Sequence, residues 1–250
     1  MIQSDQDRVF RNWRIYAALL AGLALMLHPL ISLWPYRENY SAMQLLSAPL
    51  ATSDFTPFAA LFCVLPFAES FCEDLNCGYI SAITTRIGAK KYAKTRCLSV
   101  ALSGGMVAAT IVLITIGLCV SGAGQPDTEE TVAFMGNTPW AKMGVLLTTQ
   151  GAVLYALRVF TAFLFGMLWA LVGLAVSVVI PNRYVTLIAP FVIYQVLWFL
   201  LEETTFNPVY LFRGDSNFIP SFSFVVVYQS VCIALCATIS YIGMKRRIKI

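Results

Sequence analysis

The sequence predicts an all-α polytopic membrane protein: six transmembrane helices, an N-terminal interfacial elbow helix, and a cytoplasmic coupling helix between spans two and three. Three observations carry this. Of 250 residues, 58% are apolar and only 12% are charged, with a mean hydropathy of +0.73, whereas soluble domains average about 45–50% apolar and about 25% charged. Apolar runs near the roughly 20 residues needed to cross about 30 Å of hydrocarbon recur six times. The basic residues are divided unevenly among the connections, which sets an orientation.

Taken in order, residues 1–14 place Val9, Phe10 and Trp13 at helical spacing, with Asp5, Asp7, Arg8 and Arg11 on other faces. This reads as a short helix lying in the headgroup plane with Trp13 as anchor, or as a frayed basic flank. Span one covers 15–34. Its flank of Arg8, Arg11 and Arg14 is shared with signal peptides, but its length, His28–Pro29 and the lack of a small-x-small site predict that it stays in the chain. The other spans are 56–71, 97–120, 153–180, 185–202 and 222–244, within one membrane domain over 15–250. Span three carries Ser103, Gly104, Gly105, Ala108 and Ala109, and span four carries Ala162, Gly166, Ala170, Gly173 and Ser177. Small residues at this spacing let backbones approach closely in lipid, so these two helices are expected inside the bundle.

With six spans, thirteen basic residues fall on one side: Arg8, Arg11, Arg14, Arg86, Lys90, Lys91, Lys94, Arg96, Arg183, Lys245, Arg246, Arg247 and Lys249. The other side holds Arg37, Lys142 and Arg213. The positive-inside rule then puts both termini in the cytoplasm of a multi-pass cell-membrane protein. A net charge of +4, so scattered, does not point to nucleic acid as a partner. Of seven cysteines most lie in apolar runs, and Cys72 and Cys77 lie in a connection predicted cytoplasmic. Neither a disulfide framework nor a zinc site is expected, and the pair reads as loop or packing thiols.

Ionisable residues within spans are weighed as functional because hydrocarbon makes them costly. His28 is the only histidine and lacks a second ligand or base, so it reads as a neutral packed or interfacial side chain. Arg158, near the outer end of span four, either snorkels or pairs with Glu202 or Glu203 at the outer end of span five as an outer gate. Glu69 stands at the inner end of span two, ahead of Glu73 and Asp74. Enzyme readings lose support: no phosphate loop and no G-x-S-x-G elbow occur, and Glu202–Glu203 lacks the histidines a metalloprotease needs. Leu102-Ser103-Gly104-Gly105-Met106 imitates an ATPase signature, but it is enclosed in span three and reads as a coincidence of small residues.

Between spans two and three, Ile80, Ile83 and Ile87 fall on one face of a short helix bracketed by Gly78 and Gly88. Glu73 and Asp74 precede it and Lys90 and Lys91 follow, in the sense the helix dipole favours. Such a helix is shaped to dock in a groove of a soluble partner; a solvated positive-inside loop is the plainer reading. The order acidic pair, Gly78-Tyr79-Ile80, Thr85-Arg86-Ile87-Gly88, Lys90-Lys91-Tyr92-Ala93-Lys94 resembles the coupling segment of type-2 ABC exporter permeases, including small permeases of peptide-antibiotic export and immunity.

The resemblance implies the transmembrane subunit of an ATP-driven exporter moving a substrate, such as an antimicrobial peptide, out of the cytoplasm. It implies a separate soluble ATPase in two copies, which holds ATP and Mg, and a second permease, identical or related. No cofactor is expected on this chain. Glu73, Asp74, Gly78, Ile80, Ile83, Arg86 and Ile87 would contact the ATPase. The connection over 203–222 is unusually apolar and reads as partly re-entrant, or as a loop resting on headgroups; by resemblance it would help close the outer end. Two other classes stand beside this one: a non-transporting membrane scaffold or regulatory subunit, and a secondary transporter, weakened by the lack of an inverted repeat.

Overall fold

The computed structural model describes residues 8, 12–52, 55–124, 151–213 and 221–248. Every regular element among them is helical: α1 (Trp13–Leu33), a 3-10 turn (Trp34–Asn39), α2 (Ala42–Thr52), α3 (Phe55–Val64), α4 (Ser70–Asn76), α5 (Tyr79–Ile87), α6 (Ala89–Gly122), α7 (Gly151–Val179), α8 (Arg183–Leu200), α9 (Pro208–Arg213) and α10 (Phe222–Ile248). Local chemistry sets several starts. Asn12 and Asn182 cap α1 and α8 by accepting main-chain N–H groups two residues on, at 3.2 and 2.9 Å. Ser41 and Gln44 exchange side-chain bonds with each other's N–H at 3.4 and 3.0 Å, the reciprocal capping box that opens α2.

Among the described residues five helices are long and apolar enough to cross a membrane: α1 with its 3-10 extension, α6, α7, α8 and α10. The chain is thus an α-helical membrane protein. The span expected over 56–71 is not one helix. The 10 residues of α3 rise only about 15 Å at 1.5 Å each, half the hydrocarbon thickness. The chain then turns over 65–69 before α4 begins. Pro66 is the cause, because it has no N–H to continue the ladder and disfavours helical geometry at Leu65. Its carbonyl accepts from the Asn12 side chain at 3.5 Å. The elbow expected over 1–14 lies outside the described residues except for Arg8, Asn12, Trp13 and Arg14, and Trp13 already opens α1.

The starts of α1, α6 and α8 meet the ends of α7 and α10 at one end of the bundle: Arg14 of α1 and Arg183 of α8 reach the same carboxylate, and Arg247 of α10 donates to the Val179 carbonyl of α7 at 2.5 Å. At the other end the turn after α6 meets the 3-10 helix, Gly124 N–H donating to the Arg37 carbonyl at 3.3 Å. The α6–α7 pair is the centre of the packing. A side chain at Gly104 would lie 2.7 Å from the Gly166 carbonyl and 2.8 Å from that of Cys63, so glycine lets α3, α6 and α7 touch backbone to backbone. The ATPase-like Ser103-Gly104-Gly105 stretch is this contact. Outward, α8 presents Ile188, Val192, Val196 and Phe199, and α10 presents Val227, Val231, Leu235 and Ile239, all well exposed. A water-soluble monomer rarely carries apolar stripes of that length; lipid covers them at no hydrophobic cost.

Candidate functional site: a buried charge cluster beneath a short helix

Glu69 and Asp74 lie on the turn before α4 and on α4 itself, and each is 2% exposed. Burying a carboxylate costs heavily unless it is paired; both are ion-paired and Asp74 accepts hydrogen bonds as well, whereas neither Glu69 oxygen has a hydrogen-bond partner among the described residues. Glu69 takes Arg14 of α1 on one oxygen and Nε of Arg183 of α8 on the other, the latter at 2.8 Å. Asp74 takes the guanidinium of Arg96 of α6, accepts the Tyr92 hydroxyl at 2.9 Å, and has Arg8 at 3.6 Å. Arg96 is fully buried, with its guanidinium 5.0 Å from the Phe67 ring centre and 5.2 Å from that of Tyr92, a sandwich in which the ring faces complement the cation. Two acids therefore bind α4 to the starts of three other helices.

In the sequence these arginines read only as membrane-flanking charges. The missed signal is Glu69, an acid inside the apolar run Leu61–Phe71 that required a cationic partner. Arg96 lies not in a loop but about two turns into α6, which begins at Ala89, about eight residues before the span expected from hydropathy.

From this clamped α4 the chain passes through Gly78 at φ +67° into α5, and leaves α5 through Gly88 at φ +80° into α6. Both are left-handed positions that a residue with a Cβ rarely adopts, so the two breakers read from sequence are where the backbone turns. The helix between them stands as expected over Tyr79–Ile87. Its orientation does not. Ile80 is 6% exposed, and Ile83 and Ile87 pack with it against the chain's own core, so the apolar face is not open to a partner groove. The exposed face is Tyr79, Ser81, Ala82, Thr85 and Arg86. Asp74 is likewise internal and cannot meet a soluble partner in this arrangement. Glu73 stays half-exposed, 3.8 Å from Arg14.

Cys72 is not a loop thiol. It is fully buried, with Sγ 3.4 Å from the Thr186 hydroxyl, and burial pushes its pKa up; Cys77, five residues on, is exposed.

At the opposite end Arg158 is 5% exposed on α7, and its guanidinium donates to the carbonyl of Arg213 at the end of α9. Glu202 and Glu203 are exposed on the turn after α8, and among the described residues no ion pair joins either to Arg158. The apolar connection is largely buried in protein from Asn207 to Phe212, while Glu203 and Phe206 are exposed. Asn207 caps α9 through a 2.9 Å bond from Val209 N–H and donates to the Trp198 and Leu201 carbonyls at 3.2 Å. Phe212 then packs 4.9 Å from Phe165 and 5.6 Å from Phe55. Residues 214–220 lie outside the described residues. His28 is exposed on α1.

Among the described residues no group of three or more His, Cys, Asp or Glu side chains could hold a metal ion. No protein-family model, curated protein or solved structure matches the chain.

Proposed function

We propose that this chain is the membrane subunit of an ATP-driven exporter, and that a separate soluble ATPase grips it through the outward face of α5. The observation that carries the reading is the mounting of α5. It is a short helix at the end of the bundle that gathers Arg14, Arg96, Arg183 and Arg247, hinged by left-handed glycines at both ends and braced from below by Ile80, Ile83 and Ile87. A push on such a helix passes to α4 through a two-residue joint, and from α4 through Glu69 and Asp74 to α1, α6 and α8. A partner that binds two nucleotide states differently would thereby bias two arrangements of the spans, which is all a permease must supply. The sequence resemblance to type-2 permeases supports the same reading and implies a pair of such chains, two ATPase copies carrying ATP and Mg, and a cytoplasmic location for both termini. Peptide export or self-immunity is the substrate class it favours.

The contact residues are then Tyr79, Ala82 and Arg86, with Glu73 at the rim, rather than the isoleucines. The test is co-expression with a soluble phosphate-loop ATPase encoded beside this chain, then co-purification and hydrolysis in lipid nanodiscs. Combined Tyr79→Asp and Arg86→Glu should abolish co-purification and stimulated hydrolysis while membrane insertion is retained. Full binding by that variant would place the contact elsewhere, and binding without any effect on hydrolysis would favour a scaffold or regulatory subunit.

A further inference from the structure

Between α7, α8, α10 and the α9 segment lies a cavity of about 180 Å³, walled by Phe165, Trp169, Leu197, Phe206 and Leu211. Besides Trp169, Tyr228 and the thiols of Cys232 and Cys236, the lining carries one side-chain amide, Gln229, on the second turn of α10. Its side chain is 1% exposed, and among the described residues neither its amide oxygen nor its amide nitrogen has a hydrogen-bond partner. Trp169 also lines the cavity, and among the described residues its buried indole N–H has no partner. An unmade bond at a buried amide costs about 1–3 kcal/mol, and a leucine of nearly the same size would avoid it.

An apolar cavity of about 150 Å³ stays dry and takes benzene, so the space here matches one aromatic ring or a short branched chain. Water would meet the polar groups but leave the carbon that makes up most of the wall uncovered, so an occupant with an apolar body suits the space better. The indole can only donate, and the amide can donate or accept. An occupant that satisfies them all carries, on an otherwise apolar body, an acceptor oxygen for the indole and the amide nitrogen and an N–H donor for the amide oxygen.

We propose that this cavity is a binding site for a neutral, ring-sized apolar group bearing a carboxamide, held by the Gln229 amide and the Trp169 N–H. The inference is independent of the exporter reading, since it rests on the cavity and its unpartnered groups and not on α5 or any ATPase.

The test uses the full chain in phosphatidylcholine nanodiscs and two probes followed by fluorine NMR, 4-fluorobenzamide and 4-fluorotoluene, with empty nanodiscs correcting for lipid partition. The wild type should bind the amide at least about tenfold more tightly than the hydrocarbon, the range one buried hydrogen bond provides. Gln229→Leu should erase that preference while still binding 4-fluorotoluene, and Trp169→Phe should reduce it several-fold. The proposal is overturned if neither probe binds the wild type above the empty-nanodisc level, or if Gln229→Leu keeps the wild-type preference. Should Gln229→Leu not fold, an undiminished preference in Trp169→Phe overturns the role of the indole, and a Leu211→Trp variant that still binds both probes excludes the cavity.

Discussion

The two ends of the bundle bury polar groups in opposite ways. At the end where α1, α6 and α8 begin, Glu69 and Asp74 are as inaccessible as any leucine of the core, yet each is met by two arginines, and Asp74 by a tyrosine besides. In the other half, around Phe165 and Phe212, Gln229 and the Trp169 indole are as deeply buried and meet no partner among the described residues. A charge-paired cluster ties helices together and resists change. An unsaturated one waits for a group from outside. The first is suited to passing on a push from α5, and the second to receiving a ligand.

The largest expected effect comes from breaking the charge-paired end. Asp74→Ala would leave Arg96 charged, fully buried and without its carboxylate, and removing one partner of a buried pair costs about 3–5 kcal/mol. Thermal unfolding in detergent should show Asp74→Ala far less stable than wild type. The double variant Asp74→Leu with Arg96→Met should recover most of the loss, because an apolar pair of similar volume is often neutral in such a place.

Next comes the contact shared by both ends. Gly166→Val would drive a side chain into the Gly104 backbone and the Ala108 methyl group. Overpacking of this kind costs about 1–3 kcal/mol, and hydrogen exchange should rise along both α6 and α7 rather than at one end.

A smaller and local effect is expected from Arg158→Ala. The Arg213 carbonyl loses its cationic donor, a bond of about 1.5–3 kcal/mol, and α9 should exchange and be proteolysed faster while the Glu69 and Asp74 end is unchanged. Arg158→Lys, which keeps a donor but not the planar fork, should fall between.

The gentlest probe is chemical. Cys77 is exposed and Cys72 buried with its pKa raised, so in opened membranes a hydrophilic maleimide should modify Cys77 more than about tenfold faster, since the thiolate is the reacting form. In intact cells Cys77 should resist the reagent if this end faces the cytoplasm.

Much of the helical layout is legible in the sequence, and the reason is physical. Hydrophobic length reports directly on lipid exposure, so the expected 153–180 and 185–202 agree with Gly151–Val179 and Arg183–Leu200 to within two residues. The small-residue stripes name the α6–α7 contact, since backbone proximity admits few other side chains. What was not legible depends on neighbours far along the chain. Pro66 marks the break in the second expected span and is readable once an apolar run is no longer taken as proof of one helix. Periodicity shows that Ile80, Ile83 and Ile87 share a face, but not that the face meets the chain's own core. Glu69 and Arg183 are separated by more than a hundred residues, and only the antiparallel return of α7 brings them together. Hydropathic length does not mark the helix over Ala42–Thr52, whose 11 residues are too few to span.

The contrast between the two ends is tested most directly by one matched pair of substitutions in one assay. Asp74→Leu and Gln229→Leu each replace a buried polar side chain by the same apolar one, and thermal unfolding of both in the same nanodiscs compares them. The account predicts opposite signs: Asp74→Leu destabilises strongly because it strands Arg96, whereas Gln229→Leu raises the unfolding temperature by removing an unmet amide, a gain of about 1–3 kcal/mol. If Gln229→Leu proves as destabilising as Asp74→Leu, the amide is already satisfied in the folded protein and the distinction between a clamped end and a waiting end is wrong.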